Sequence, residues 1–177
     1  FGVNVASRNN KLPVVIKGTK FLRPIKYYEK IGSAQVKSMC CFSAMITNGT
    51  TEIIAAPSRN HTEILLKKIG IPIEIKSIKK LDVIKITGKK NYSAFDYKIP
   101  GDISSASFFI VLTLLSDKSK LLIRNVNINE SRTGIIDCLK KMNSKIKVTN
   151  KRSYMGESLA DIFIESTNNL RSINCPK

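Results

Sequence analysis

Apolar residues in this chain follow two spacings, and each change from one to the other marks a new element. Residues 33–47, SAQVKSMCCFSAMIT, are apolar on nearly every side, which predicts a helix buried on several faces. Gly32 and Ser33 supply the turn before it and an N-cap oxygen for its first N–H groups. A second helical pattern over 61–69 ends at Gly70, a third over 105–115 follows the cap residues Asp102 to Ser105, and a fourth covers 132–142. Shorter runs rich in Ile, Val and Thr predict strands at 12–17, 25–31, 51–55, 71–77, 81–87, 93–99, 120–126, 145–149 and 159–166. Asn9-Asn10, Gly18, Asn48-Gly49 and Pro100-Gly101 punctuate them.

The order helix, strand, helix, strand, strand occurs twice. Gly32 aligns with Gly101 and Lys67-Lys68 with Lys140-Lys141, so the chain carries an internal repeat of about 70 residues. Repetition of a mixed unit places the fold class as α/β (α+β). Pro100-Gly101 joins a fixed φ to a permissive one, which suits a hinge.

Composition narrows the picture without deciding it. With 42% hydrophobic and 24% charged residues in 177, the chain can bury a core as one domain or contribute to two. No apolar run approaches the roughly 20 residues of a membrane span, and no signal peptide opens the sequence. Phe1 and the terminal Cys175-Pro176-Lys177 read as interrupted connections, so a fragment is expected. A net charge of +17 raises nucleic acid as a partner, but the bases are scattered, Trp is absent and no aromatic residues interleave with them. No nucleic-acid partner is expected; a positive field equally suits phosphorylated small molecules. Cys40, Cys41, Cys138 and Cys175 form no CxxC, and with a single His no metal site is expected. They are expected to be reduced packing residues of a cytoplasmic protein.

The start of the 33–47 helix carries the candidate chemistry. Its unpaired N–H groups and positive dipole end, with Ser33, Gln35 and Lys37 adding a hydroxyl, an amide and an ammonium, suit an anion. An ordinary capped core helix has the same residues. On this segment alone both readings stand.

The wider sequence separates them. SAQVKS, followed by PSRNHTE at 57–63, resembles the motif pair of the enolpyruvylshikimate phosphate synthase family. IPGDISSASFF at 99–109 and NINESRTGIIDCLKKM at 127–142 are similar to that family's PGD-SSA and RTG segments, in the same order. The resemblance implies two globular halves, each of three βαβαββ units with helices packed inside, an inside-out α/β barrel with substrates in the cleft between halves. It further implies that residues 1–96 are the later part of the shikimate-phosphate-binding half and 97–177 the first repeat of the other, with the crossing at about 97–101.

The reaction implied is transfer of the enolpyruvyl group of phosphoenolpyruvate to a hydroxyl of shikimate-3-phosphate, releasing phosphate, in chorismate and aromatic amino acid biosynthesis. It needs no metal or organic cofactor, and the complete protein is expected to be a monomer. Carried over by motif, Ser33 and Ala34 bind the shikimate phosphate through hydroxyl and backbone N–H, Gln35 contacts shikimate-phosphate and reaches phosphoenolpyruvate, and Arg59 grips the same phosphate with a planar fork. Lys37 divides evenly between site electrostatics and structure. His61 at a helix entry reads as structural, Asp102 as an N-cap, and Arg132 as an ion-pairing residue near a helix start. Asn60 stands where the family commonly has Asp, a departure expected to touch capping only.

No catalytic residue is assigned within this chain. The family's opening lysine-serine-arginine segment, Gly-rich phosphoenolpyruvate segment, aspartate proton acceptor and late lysine, glutamate and arginine have no counterparts here, so the fragment is expected to be inactive alone. The UDP-N-acetylglucosamine enolpyruvyl transferases share the fold, but SAQVKS with PSRNHTE favours the shikimate enzyme. A basic repeat-built nucleic-acid module is the alternative from another class.

Overall fold

The computed structural model describes residues 1–88 and 91–174, and the chain divides into two units, Phe1–Phe95 and Asp96–Lys177. The first opens with a hairpin of β1 (Asn4–Arg8) and β2 (Lys11–Lys17), turned at Asn9 and Asn10 in left-handed conformations (φ 53° and 55°). Asn accepts such values more readily than most residues, and paired positive φ matches strand twist. The sequence had predicted β2 and the Asn-Asn break but not β1. Every residue of β1 is exposed, so it carries no inward-facing stripe.

The rest of this unit is β3 (Lys26–Glu29), α1 (Ala34–Met45), β4 (Thr50–Ala55), α2 (His61–Lys68), β5 (Ile73–Ile78) and β6 (Leu81–Thr87), a βαβαββ order. The sheet runs β3-β4-β6-β5, with β3 parallel to β4 and the other pairs antiparallel. Parallel neighbours need a crossover, which α1 provides. Cys40, Cys41 and Ala44 of α1 and Leu66 of α2 are buried against Ile53, Ala55, Ile84 and Ile86 of the strands. That packing fixes where both helices begin.

The second unit repeats the order: α3 (Ile103–Leu115), β7 (Lys120–Asn127), α4 (Gly134–Lys141), β8 (Lys145–Tyr154) and β9 (Glu157–Glu165), with sheet order β7-β9-β8. This matches β4-β6-β5 of the first unit. Ile110 and Leu114 of α3 and Ile136 and Leu139 of α4 are buried with Ile146, Ile162 and Ile164. The 70-residue repeat is therefore a repeat of fold.

The strand predicted at 93–99 is not formed; residues 91–100 contain none. Gly101 instead makes one parallel bridge to Val126, its N–H donating to the Asn125 carbonyl and its carbonyl accepting from Asn127 N–H, both at 2.8 Å. Two features stop this contact from growing. Pro100 has no N–H to donate, and β7 shifts register between Ile123 and Val126, with Asn125 at φ 57°. The approach is tied by side chains instead: Lys98 N–H donates to the Tyr154 hydroxyl at 3.1 Å, and the Tyr97 and Tyr154 rings stack with centroids 5.6 Å apart.

Cys40 and Cys41 are buried free thiols, and Cys138 is partly buried. Cys175 lies outside the described residues. Among the described residues no helix is long and apolar enough to cross a membrane.

Candidate anion site at two helix entries

Glu29, the last residue of β3, organises the approach to α1. It is 4% exposed, and its carboxylate accepts from Ile31 N–H at 3.0 Å and Gly32 N–H at 2.7 Å. Burial pushes this carboxyl up, but the N–H groups of Ser33, Ile31 and Gly32 and the nearby Lys37 ammonium outweigh it and hold the group below the ordinary carboxylate range. The tight loop requires a left-handed residue, and Gly32 (φ 74°) supplies it.

Ser33 is the N-cap, extended at φ −81° and ψ 107°, with its Oγ accepting from Val36 N–H at 3.3 Å. Lys37 N–H donates to the Ser33 carbonyl at 3.0 Å, the first intrahelical bond. The donors up to Ser33 turn back to Glu29, and Val36 is taken by the cap. The Ala34 and Gln35 N–H groups are left without an intrahelical acceptor, pointing out of the helix start. A capping oxygen still carries its own hydrogen, so Ser33 can cap and donate at once.

Arg59 and Asn60 lead into α2. Asn60 occupies the N-cap position, and its side chain makes no cap hydrogen bond. A concavity of about 470 Å³ is lined on its polar side by Ala34, Gln35, Ser38, Arg59, His61 and Thr62, and on its apolar side by Met39 and Phe42. Three of the four sequence-predicted residues therefore line one hollow, and Ser33 stands at the cap immediately before it. Gln35 and Arg59 are exposed. The lining thus offers an amide, a guanidinium, the helix-start residues and hydroxyls and no carboxylate, the kinds of donor that suit a phosphate-sized anion.

The lone His lines this hollow too, a placement that its position at a helix entry did not predict. Lys37 does not: it is wholly buried, with Nζ 2.6 Å from Glu63 Oε1. Of the two roles open to it, the structure gives the structural one. Sequence reasoning missed Glu29 and Glu63, although each leaves a signal: an acidic residue just ahead of Gly32-Ser33, and one in the first turn of the next helix.

Asp102 caps α3, accepting from Ser104 N–H at 3.0 Å, and pairs with Arg132 Nη2 at 2.6 Å; Arg132 also donates to Ser104 Oγ. Both residues take the structural roles predicted for them. The hollow of about 450 Å³ in this unit mixes Glu130 and Asp137 with Lys140, Lys151 and Arg152, so it selects no single charge. Among the described residues no group of three or more His, Cys, Asp or Glu could hold a metal ion.

Comparison with known proteins gives this geometry a context. A family model described as EPSP synthase (3-phosphoshikimate 1-carboxyvinyltransferase) matches residues 1–170. The chain is 42% identical over 176 residues to 3-phosphoshikimate 1-carboxyvinyltransferase of Legionella pneumophila (strain Corby), covering 99% of this chain and 40% of that relative. It is 41% identical over 157 residues to the protein of that name from Petrotoga mobilis, covering 88% and 35%. Among solved structures, EPSP synthase from Acinetobacter baumannii superposes with a TM-score of 0.82 at 32% identity, over 99% of this chain and 39% of that one. The enolpyruvyl transferase NikO from Streptomyces tendae shares the fold, with a TM-score of 0.67 at 16% identity over 95% and 40%. The chain thus spans about two fifths of the length of the proteins it matches. With the matching model running through both repeats and both helix entries, the chain belongs to the EPSP synthase family.

Proposed function

We propose that the complete protein transfers the enolpyruvyl group of phosphoenolpyruvate to shikimate-3-phosphate, releasing phosphate, and that the first unit of this chain seats the shikimate phosphate. The convergence of the α1 start and Arg59 on one hollow carries this reading. In it, Ser33 donates its hydroxyl proton to a phosphate oxygen, and the Ala34 and Gln35 N–H groups add two fixed donors. The Gln35 amide extends toward phosphoenolpyruvate. Arg59 offers two parallel N–H donors to the same phosphate, at the positive ends of two helices. Fixed donors aimed at one anion orient the sugar-like ring for attack without a reorganisation cost. Proton transfer is assigned to no residue of this chain.

In the same reading residues 1–96 belong to the later part of the half that holds shikimate-3-phosphate, and 97–177 form the first repeat of the other. The complete protein acts as a cytoplasmic monomer, without a cofactor. The test is phosphate release by the complete gene product. It should require both phosphoenolpyruvate and shikimate-3-phosphate, and Arg59→Lys should raise KM for shikimate-3-phosphate about tenfold or more by removing the bidentate grip. Release that proceeds with unphosphorylated shikimate as readily, or an unchanged KM in Arg59→Lys, would sink the reading.

A further inference from the structure

The two halves of the anion seat belong to different helices, so a single phosphate can use both only if α1 and α2 start at a fixed distance. Two contacts join the helices close behind their starts. Lys37 Nζ lies 2.6 Å from Glu63 Oε1, with side chains 0% and 3% exposed, and Ser38 Oγ lies 2.6 Å from Thr62 Oγ1. Both follow the seat residues in sequence: Lys37 and Ser38 come two and three residues after Gln35, and Thr62 and Glu63 three and four after Arg59.

The ion pair has no aligned hydrogen bond at the ammonium, and neither Lys37 Nζ nor Glu63 Oε2 has another hydrogen-bond partner among the described residues. A fully desolvated pair with spare hydrogen-bonding capacity is a poor stabiliser compared with two apolar side chains of similar volume. It does specify a distance and a rotation of one helix relative to the other. Lys37 also lies close enough to Glu29 to help hold its carboxylate ionised, which ties the pair to the loop that turns into Ser33.

We propose that Lys37 and Glu63 are positioning residues that hold the starts of α1 and α2 at one-phosphate spacing, so that Ser33, the Ala34 and Gln35 N–H groups and Arg59 act on a single anion. Neither touches the ligand. The inference rests on the phosphate reading of the hollow.

The test measures dissociation constants for shikimate-3-phosphate, with melting temperatures, on the complete gene product and three variants. Glu63→Asp keeps the charge but shortens the arm by one methylene. The double variant Lys37→Met/Glu63→Leu replaces the pair by apolar side chains that can keep the core filled. Arg59→Ala tests the seat itself. The expected result is a tenfold or greater loss of affinity in Glu63→Asp and in the double variant, with the double variant melting within a few degrees of the parent. Parental affinity in either variant, while Arg59→Ala loses affinity, overturns the positioning role and leaves the seat in place. Parental affinity in Arg59→Ala overturns the phosphate reading itself. An affinity loss in the double variant that accompanies a large fall in melting temperature, with Glu63→Asp binding normally, reduces the pair to a structural contact and overturns the proposal.

Discussion

Replacing Gly88 by alanine tests the packing that carries the site. Gly88 follows β6 and its N–H donates to the Gly49 carbonyl at 3.0 Å. A Cβ there would lie 2.0 Å from the Ala44 carbonyl oxygen, 2.2 Å from that of Thr47 and 3.0 Å from that of Met45. Ordinary contacts are about 3.5 Å. The obstructing atoms are backbone at the C-terminal end of α1, so no rotamer change relieves the overlap. Either α1 or the chain leaving β6 must shift by more than an ångström. Overpacking of this kind costs roughly 1–3 kcal/mol and more where backbone must move, so about 3 kcal/mol is expected. For a unit of this size, Phe1–Phe95, that lowers the melting temperature by roughly 12–24 °C. Thermal unfolding followed by circular dichroism measures it, with Gly18→Ala as control, since nothing lies within 4 Å of a Cβ there. A Gly88→Ala protein that melts with the parent would mean that α1 does not sit on β6 as described, and the placement of the α1 start would fall with it.

Four further outcomes follow from particular contacts. Burial, reinforced by the Glu63 charge, pushes the Cys41 thiol from its ordinary 9.0 up to about 12, and burial raises Cys40 as well; both should resist iodoacetamide at pH 8 until the protein unfolds, and rapid labelling of the native protein would contradict their place in the core. Glu29 and Glu52 are held below their ordinary 4.5, Glu52 chiefly by its bond to Lys26, so the unfolded chain takes up protons first as the pH falls. The stability they confer is complete above about pH 4.5 and is lost as the pH drops through their lowered values; melting temperatures from pH 7 to 3 should fall over that window, less steeply in Glu29→Gln, and an identical slope in that variant would contradict the role given to Glu29. Lys79 and Lys80 turn β5 into β6 with φ of 50° and 65°, so Lys80→Gly should stabilise by about 1 kcal/mol in chemical denaturation, and a loss of stability would refute the strained turn. Asp161 accepts from Asn125 N–H at 2.9 Å, Asn150 Nδ2 at 3.0 Å and Arg152 Nη2 at 3.3 Å, pinning the bulges of β7 and β8; Asp161→Ala should cost about 1–3 kcal/mol, and a neutral outcome would show that the bulges hold without it.

The helices were legible because each combines an apolar run with a stop or start residue: Ser33 before α1, Gly70 after α2, Asp102 before α3. The strands beside them were legible from Ile-rich runs, to within a few residues. β1 was not, because its five residues, NVASR, hold a single β-branched residue among polar ones, whereas the equally exposed β2 carries the run Val14-Val15-Ile16. The segment 93–99 misled for the opposite reason. Phe95, Tyr97 and Ile99 look like strand residues, yet Tyr97 is used to stack on Tyr154, and whether a ladder forms depends on the partner strand, whose bulge at Asn125 no local pattern announces. At the candidate site, Ser33, Ala34, Gln35 and Arg59 could be named from motif resemblance and helix-start chemistry. That Ala34, Gln35 and Arg59 would line one hollow could not, since the two helix starts are brought together by long-range contacts: Lys37 with Glu63, and Ser38 with Thr62. Glu29 escaped notice because a carboxylate ahead of an anion site looks unfavourable until its backbone partners are seen.

In the proposed function the starts of α1 and α2 together hold the phosphate of shikimate-3-phosphate rather than its hydroxylated ring. Calorimetric titration of the complete gene product with shikimate-3-phosphate and with unphosphorylated shikimate, in the parent and in Arg59→Ala, tests it most directly. The preference for the phosphorylated compound should collapse at least tenfold in Arg59→Ala while the affinity for shikimate hardly changes. Equal losses for both compounds, or an undiminished preference, would contradict it.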